Sequence, residues 1–146
     1  RRLAELARVD GLDPVTGDVL GRADIVTVHV PYSAGTHHTI GAPEIALMKK
    51  SAILIHAARG GVVDDAALVE ALRTGAIAGA GLDVFEGEPA IHPGFLELKN
   101  VILSPHIASS SEKTRFRMAQ MAAENLVAAL TTGHPPNLLN PEVLNR

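Results

Sequence analysis

The sequence predicts an α/β domain built on a parallel sheet. Four short apolar runs, 23–31, 51–57, 77–85 and 100–105, alternate with helical or loop segments, the rhythm of strand–crossover–strand units. The runs are near-continuously apolar rather than alternating, as strands are when both faces of a sheet are covered.

Each element has a local reason. Residues 1–9 read as the end of a short helix, and 10–18 are turn-rich, with Gly11, Pro14 and Gly17 as breakers. A short helix is expected at 18–22. ADIVTVHVP reads as a buried strand of β-branched residues stopped by Pro31. After the loop YSAGTHHTIG, Pro43 suits the first turn of a helix through Met48, with Lys49 and Lys50 at its negative end. SAILIHA is the second strand. Asp64 is an N-cap for a helix carrying Leu68, Val69 and Leu72 and closing at Gly75. IAGAGLDVF is the third strand, with glycines where another backbone approaches closely. EGEPAIHPG is a loop, and NVILSP is the fourth strand. Ser109 and Glu112 have capping-box spacing. They open a long helix, 111–131, with Phe116, Ala119, Ala123, Leu126, Val127 and Leu130 on one face. Gly133, Pro135 and Pro136 end it, and 133–146 is a tail.

Length and composition set bounds. At 146 residues the chain is read as one domain. Apolar residues make up 47% and aromatics only 3%, so the core must be Ala, Val, Leu and Ile. A net charge of −3 gives no basic footprint for nucleic acid. No apolar run is long enough to span a bilayer, and Arg1, Arg2, Glu5 and Arg8 break any signal-peptide pattern. The absence of cysteine excludes a disulfide framework and thiolate metal sites. A cytoplasmic protein is expected. The opening lacks Met and reads as mid-domain sequence, so a piece of a longer protein is expected too.

Three polar residues stand just past three apolar runs: Arg59, Glu88 and His106. Side chains past the carboxyl ends of neighbouring parallel strands meet in one crevice, where ligands bind. A guanidinium there can hold a carboxylate and a keto oxygen with paired hydrogen bonds. An imidazole titrates near neutrality and can hand over a proton. Taken singly, a loop arginine is more often solvated, and a lone histidine more often caps or fills a core. Asp83 ends an apolar strand, a costly place for a charge without a partner. Glu86 and Glu88 cannot be ranked from composition. His37 and His38 show no metal-ligand spacing and read as solvated, so no metal is expected. AGAGLDVF does not fit the phosphate-binding glycine pattern, because its glycines lie inside a strand and the last one is absent.

The segments ADIVTVHVP, LMKKSAILIHAARGGVVDDAALVEAL, GAGLDVFEGEP and NVILSPHIASSSEKTR, with the tail ENLVAALTTGHPPNLLNPEV, together resemble the D-isomer-specific 2-hydroxyacid dehydrogenases. The resemblance runs from about Ala23 to about Val143. It implies the second half of a Rossmann-type nucleotide-binding domain, incomplete because the glycine-rich turn and much of the substrate domain have no counterpart. It implies NAD or NADP as cofactor, a small 2-keto or 2-hydroxy acid as substrate, and a homodimeric parent. It also ranks the glutamates, since the family's catalytic glutamate directly precedes proline, as Glu88 does. By resemblance Arg59 orients the substrate, His106 protonates the carbonyl oxygen, and Glu88 bonds that histidine and raises its pKa. Asp83 matches the aspartate near the nicotinamide carboxamide. Val30, Pro31, Thr36, Ala57, Ala58, Ala108 and Ser109 match positions lining the cofactor. His56 stands where asparagine is common and Ser51 where glycine is usual. Arg1 and Arg2 would favour NADP if they end a basic selector.

The expected activity is hydride transfer between a nicotinamide cofactor and a 2-keto acid, of the hydroxypyruvate, glyoxylate or phosphoglycerate type. The chain alone is expected to be a poor enzyme, with an open apolar strand edge inviting aggregation or pairing. A non-catalytic nucleotide sensor of the corepressor kind, or phosphite oxidation on the same scaffold, are the alternatives.

Overall fold

A computed structural model of the chain describes residues 18–145. The expected helix end and turn before residue 18, and the arginines Arg1 and Arg2, lie outside the described residues. The described elements are α1 (Asp18–Arg22), β1 (Ile25–Val28), α2 (Ala42–Ala46), β2 (Ile53–His56), α3 (Asp65–Thr74), β3 (Gly79–Leu82), a 3-10 turn (Pro93–Glu97), β4 (Val101–Leu103), α4 (Glu112–Thr132) and a final 3-10 turn (Pro141–Asn145). The strands form one sheet in the order β1-β2-β3-β4. Every neighbouring pair is parallel. Parallel neighbours need crossover connections, which the intervening segments supply. The chain divides into two compact units, the first ending at His106 and the second starting at Ile107.

Helix α3 forms where expected. The Asp64 carboxylate accepts the Ala67 N–H at 2.9 Å, and Gly75 closes the helix at φ 68°, in the left-handed region that favours glycine. Leu68, Val69 and Leu72 join Val28, Leu54, Ala80 and Leu82 of the sheet in one buried cluster, with Ile40, Ile45, Val62, Val63 and Phe95. Burying each such side chain contributes about 1.5–3 kcal/mol, enough to hold the loops that leave the strands. Helix α2 is shorter than expected and ends at Ala46. Lys49 does not serve as its C-terminal charge; it pairs with Asp24 at 2.9 Å.

The sheet departs from one expectation. Val28, Leu54, Ala80 and Leu82 are buried, but Ile25 is 63% exposed and Ile102 77%. One face of the sheet is therefore covered by the core and the other is not. Continuous apolarity along the strands predicted two covered faces; among the described residues Ile25, Ile53 and Ile102 of the second face are exposed.

The second unit is the long helix α4 and its tail. Its N-cap is Ser111, whose hydroxyl accepts the Thr114 N–H at 3.2 Å, and not Ser109. The Ser109–Glu112 spacing gives way because a cap two residues later leaves Glu112 in the first helical turn, where an acidic group suits the helix dipole. The apolar stripe is present but not buried: Phe116, Leu126, Val127 and Leu130 are all exposed. Gly133 ends the helix at φ 72°.

Candidate active site

The parallel sheet fixes where the candidate residues leave it. His56, Leu82 and Leu103 end β2, β3 and β4 at the same rim. Pairing continues just beyond, with Asp83 N–H donating to His56 O at 2.9 Å and Ser104 N–H to Leu82 O at 2.8 Å. Arg59, Glu88 and His106 follow these three strands, so all three leave from the carboxyl rim.

Glu88 and His106 are in direct contact. His106 Nδ1 lies 2.7 Å from Glu88 Oε2, while Glu88 Oε1 accepts the Phe85 N–H at 2.9 Å. The carboxylate is thus held on both oxygens. The hydrogen bond from His106 is the main reason Glu88 titrates below the ordinary carboxylate range. Partial burial works against it, and the Phe85 N–H adds to the lowering. A carboxylate can only accept, so the imidazole presents its Nδ1 proton to it. His106 itself sits at φ 53°, a left-handed backbone that side-chain-bearing residues adopt at some cost. The pair lines a cavity of about 590 Å³ walled by Phe85, Pro89, Ile91, Leu96 and Leu103.

Arg59 lines a different hollow of about 300 Å³, with His29, Val30, Pro31, Ala57 and Ala58. Its Nη1 donates to the Ala58 carbonyl at 2.7 Å. The structure therefore brings Glu88 and His106 together and places Arg59 on the same rim in a separate hollow. Thr36 closes the turn beside that hollow: its hydroxyl donates to Pro31 O at 2.8 Å and accepts the Ser33 N–H at 2.7 Å. Asp83 is buried and accepts a short hydrogen bond from the Ser104 hydroxyl, tying the ends of β3 and β4. Ala108 and Ser109 belong to the second unit.

The backbone just after Arg59 is crossed by another stretch of the chain. A Cβ on Gly60 would fall 1.8 Å from Phe85 O. It is the chain around Phe85, leading to Glu88, that crosses this backbone. Gly79 in β3 likewise faces the Asn100 carbonyl, 3.0 Å from a Cβ built there, the close approach its strand position predicted.

Several site residues carried no clear sequence signal. His56 is 1% exposed, and neither ring nitrogen has a hydrogen-bond partner. Burial pulls its pKa down to about 4, against a weaker opposite pull from the Arg59 backbone. Asp65 is buried beside the N-cap, and its Oδ2 accepts the Glu86 N–H at 3.0 Å. Burial raises its pKa, and that hydrogen bond opposes the rise. Only a tertiary contact distinguishes Asp65 from Asp64, so local pattern could not rank them. His29 bonds Thr27 at 2.7 Å; its place just before Val30 and Pro31 was the available clue.

His37 and His38 are not simply solvated. Their rings stack at 3.8 Å, and His38 Nε2 lies 2.7 Å from Glu86 Oε1. Adjacent residues point apart on a regular element, but His38 is at φ 47°, which brings the two rings side by side.

A parallel sheet with a carboxylate–imidazole pair and a guanidinium on its carboxyl rim defines the class: a Rossmann-type α/β domain. Residues 7–108 match the family described as D-isomer specific 2-hydroxyacid dehydrogenase, NAD binding domain, and the chain belongs to that family. It is 54% identical over 129 residues to a glyoxylate reductase of Aeropyrum pernix, a match covering 87% of this chain and 38% of the relative. Among solved structures it is similar to an NADPH-dependent glyoxylate/hydroxypyruvate reductase of Sinorhizobium meliloti in complex with NADP and malonate, with TM-score 0.80 and 39% identity, over 89% of this chain and 42% of that one. A D-isomer specific 2-hydroxyacid dehydrogenase of Lactobacillus delbrueckii in its NAD complexed form gives TM-score 0.77 at 35% identity, over 85% and 42%. The chain thus spans well under half the length of these relatives.

The hollow beside Arg59 fits part of a nicotinamide cofactor. Its walls, Val30, Pro31, Ala57 and Ala58, are small and apolar, suited to a flat ring and sugar, and its volume of about 300 Å³ is that of one end of a dinucleotide rather than the whole.

Proposed function

We propose that this chain carries the proton-donating and substrate-orienting part of an NAD(P)-dependent 2-keto acid reductase acting on glyoxylate or hydroxypyruvate. The observation that carries this reading is the 2.7 Å contact between His106 Nδ1 and Glu88 Oε2 at the carboxyl rim. With Nδ1 committed to the carboxylate, Nε2 is the nitrogen that donates to a carbonyl oxygen. Glu88 holds the ring's orientation. Arg59 pairs with the substrate carboxylate, where its planar fork gives two parallel hydrogen bonds. Val30, Pro31, Thr36, Ala57, Ala58, Asp83, Ala108 and Ser109 hold the cofactor. A bound nicotinamide would supply the hydride; the protein supplies position, charge and the proton. The similar glyoxylate reductase and glyoxylate/hydroxypyruvate reductase support the substrate class.

The reading includes a homodimeric assembly and a cytoplasmic location. Among the described residues no helix is long and apolar enough to cross a membrane.

Grafting this chain in place of the matching stretch of the Aeropyrum pernix enzyme tests the proposal. The folded graft is expected to oxidise NADH or NADPH with glyoxylate or hydroxypyruvate. A folded graft that binds the cofactor but turns over no keto acid would favour the nucleotide-sensor reading instead.

A further inference from the structure

We propose that His37, His38 and Glu86 form a binding site for a divalent first-row transition ion of the zinc type, apart from the Glu88–His106 pair. One ligand atom from each of the three lies within 4.8 Å of the others. The two imidazoles are stacked at 3.8 Å with an interplanar angle of 24°; because ring lone pairs lie in the ring plane, one ring tilts for both nitrogens to reach a single ion. His38 Nε2 and Glu86 Oε1, 2.7 Å apart, share a proton in this arrangement. An ion bound at about 2.0–2.2 Å to each would replace that proton after the pair opens by about 0.7 Å, to the separation of two tetrahedral ligands.

The surroundings have the form of a metal site rather than of a simple ion pair. The second nitrogen of His38, Nδ1, faces Asp64 Oδ2 at 3.6 Å. A carboxylate behind the far nitrogen of a ligating histidine is the usual means of fixing its tautomer and orientation. Asp64 is itself held, because its Oδ1 caps α3. His38 is held by its backbone, whose N–H donates to Gly61 O at 2.8 Å. Glu86 is held by the bond from its N–H to Asp65. Two separated loops therefore deliver the three donors, and a third carries the carboxylate behind His38. Two imidazoles and one carboxylate suit zinc, nickel or copper, whereas magnesium and calcium prefer all-oxygen sets. Three protein ligands leave a fourth position for water. An ion here would tie the 31–40 loop, which borders the Arg59 hollow, to the segment carrying Glu88.

The test is isothermal titration of the untagged full chain with zinc chloride, with magnesium chloride as the comparison. One saturable zinc site per chain is expected, with no binding of magnesium. His37→Ala and Glu86→Gln should each weaken zinc at least about tenfold, as should Asp64→Asn, which keeps the helix cap and alters only the outer carboxylate. His134→Ala, in the second unit, should change nothing. Cobalt substitution should give the intense visible absorption of a four-coordinate ion, lost in Glu86→Gln. Circular dichroism of each variant separates lost binding from lost fold; should His37→Ala unfold, Glu86→Gln and Asp64→Asn decide the matter. Absence of saturable zinc binding by the parent chain, or folded variants that bind as the parent does, would overturn the site.

Discussion

Gly60 and His56 show how single residues set the rim. A methyl group on Gly60 would overlap the Phe85 carbonyl, 1.8 Å away. Relief requires the segment that positions Glu88 to move. Gly60→Ala is expected to cost about 3 kcal/mol or more, at the upper end of overpacking penalties. Chemical denaturation measures this, and a variant as stable as the parent would mean the two segments do not cross as described. His56 is a buried ring with two unpartnered nitrogens, and it titrates at about 4 instead of 6.5. The folded protein holds it neutral while the unfolded chain takes up a proton below pH 6.5. Stability from this group is therefore full above pH 6.5 and falls as pH drops toward 4, by roughly 3 kcal/mol in total for a shift of that size. Glu88, with a lowered pKa, adds a loss in the same direction below the ordinary carboxylate range. Asp65, with a raised pKa, acts with the opposite sign: its contribution is present at low pH and lost as pH rises through its folded-state value. Comparing His56→Leu with the parent isolates the histidine. The variant should match or exceed parental stability at pH 7, since an apolar replacement removes unsatisfied groups, and should lose less between pH 6.5 and 4. Parallel stability curves for the two proteins would contradict the assignment.

At the scale of elements, the caps divide what was legible from what was not. Asp64 and Gly75 bracket α3 as the sequence predicted, because a cap and a left-handed terminus are local choices. The four strands were legible for a similar reason: short apolar runs between turn residues. The start of α4 was not, because Ser109, Ser110 and Ser111 are chemically alike, and only the backbone path selects the one that caps. Ser111→Ala should lower α4 stability by about 1 kcal/mol, while Ser109→Ala should leave it unchanged. Thermal melts followed at 222 nm distinguish the two, and the reverse order of effects would restore the other cap. The site divides in the same way. Arg59, Glu88 and His106 were visible as polar residues past strand ends, though the choice of Glu88 over Glu86 came from family likeness. The geometry gives each glutamate its own histidine, Glu88 with His106 and Glu86 with His38. That pairing depends on a left-handed residue at 38 and on contacts across 48 positions, which no local pattern encodes.

At the scale of the molecule, one face of the sheet carries Ile25, Ile53 and Ile102 exposed, on a strand order whose first member, among the described residues, has a neighbour on one side only. Exposed apolar surface of this kind drives association. The chain in dilute buffer is expected to bind a hydrophobic dye and to self-associate, and Ile102→Lys should reduce both with little change in melting temperature. Light scattering behind a sizing column reads the outcome; a monodisperse monomer that ignores the dye would show the face to be covered.

The proposed function rests on the imidazole at the carboxyl rim, oriented by Glu88, donating the proton in keto acid reduction. Its most direct test is kcat/KM for glyoxylate in the grafted enzyme with His106→Gln. A fall of roughly a hundredfold or more, the usual cost of a lost general acid, with cofactor affinity unchanged, is the predicted result. Turnover at the rate of the unaltered graft would contradict it.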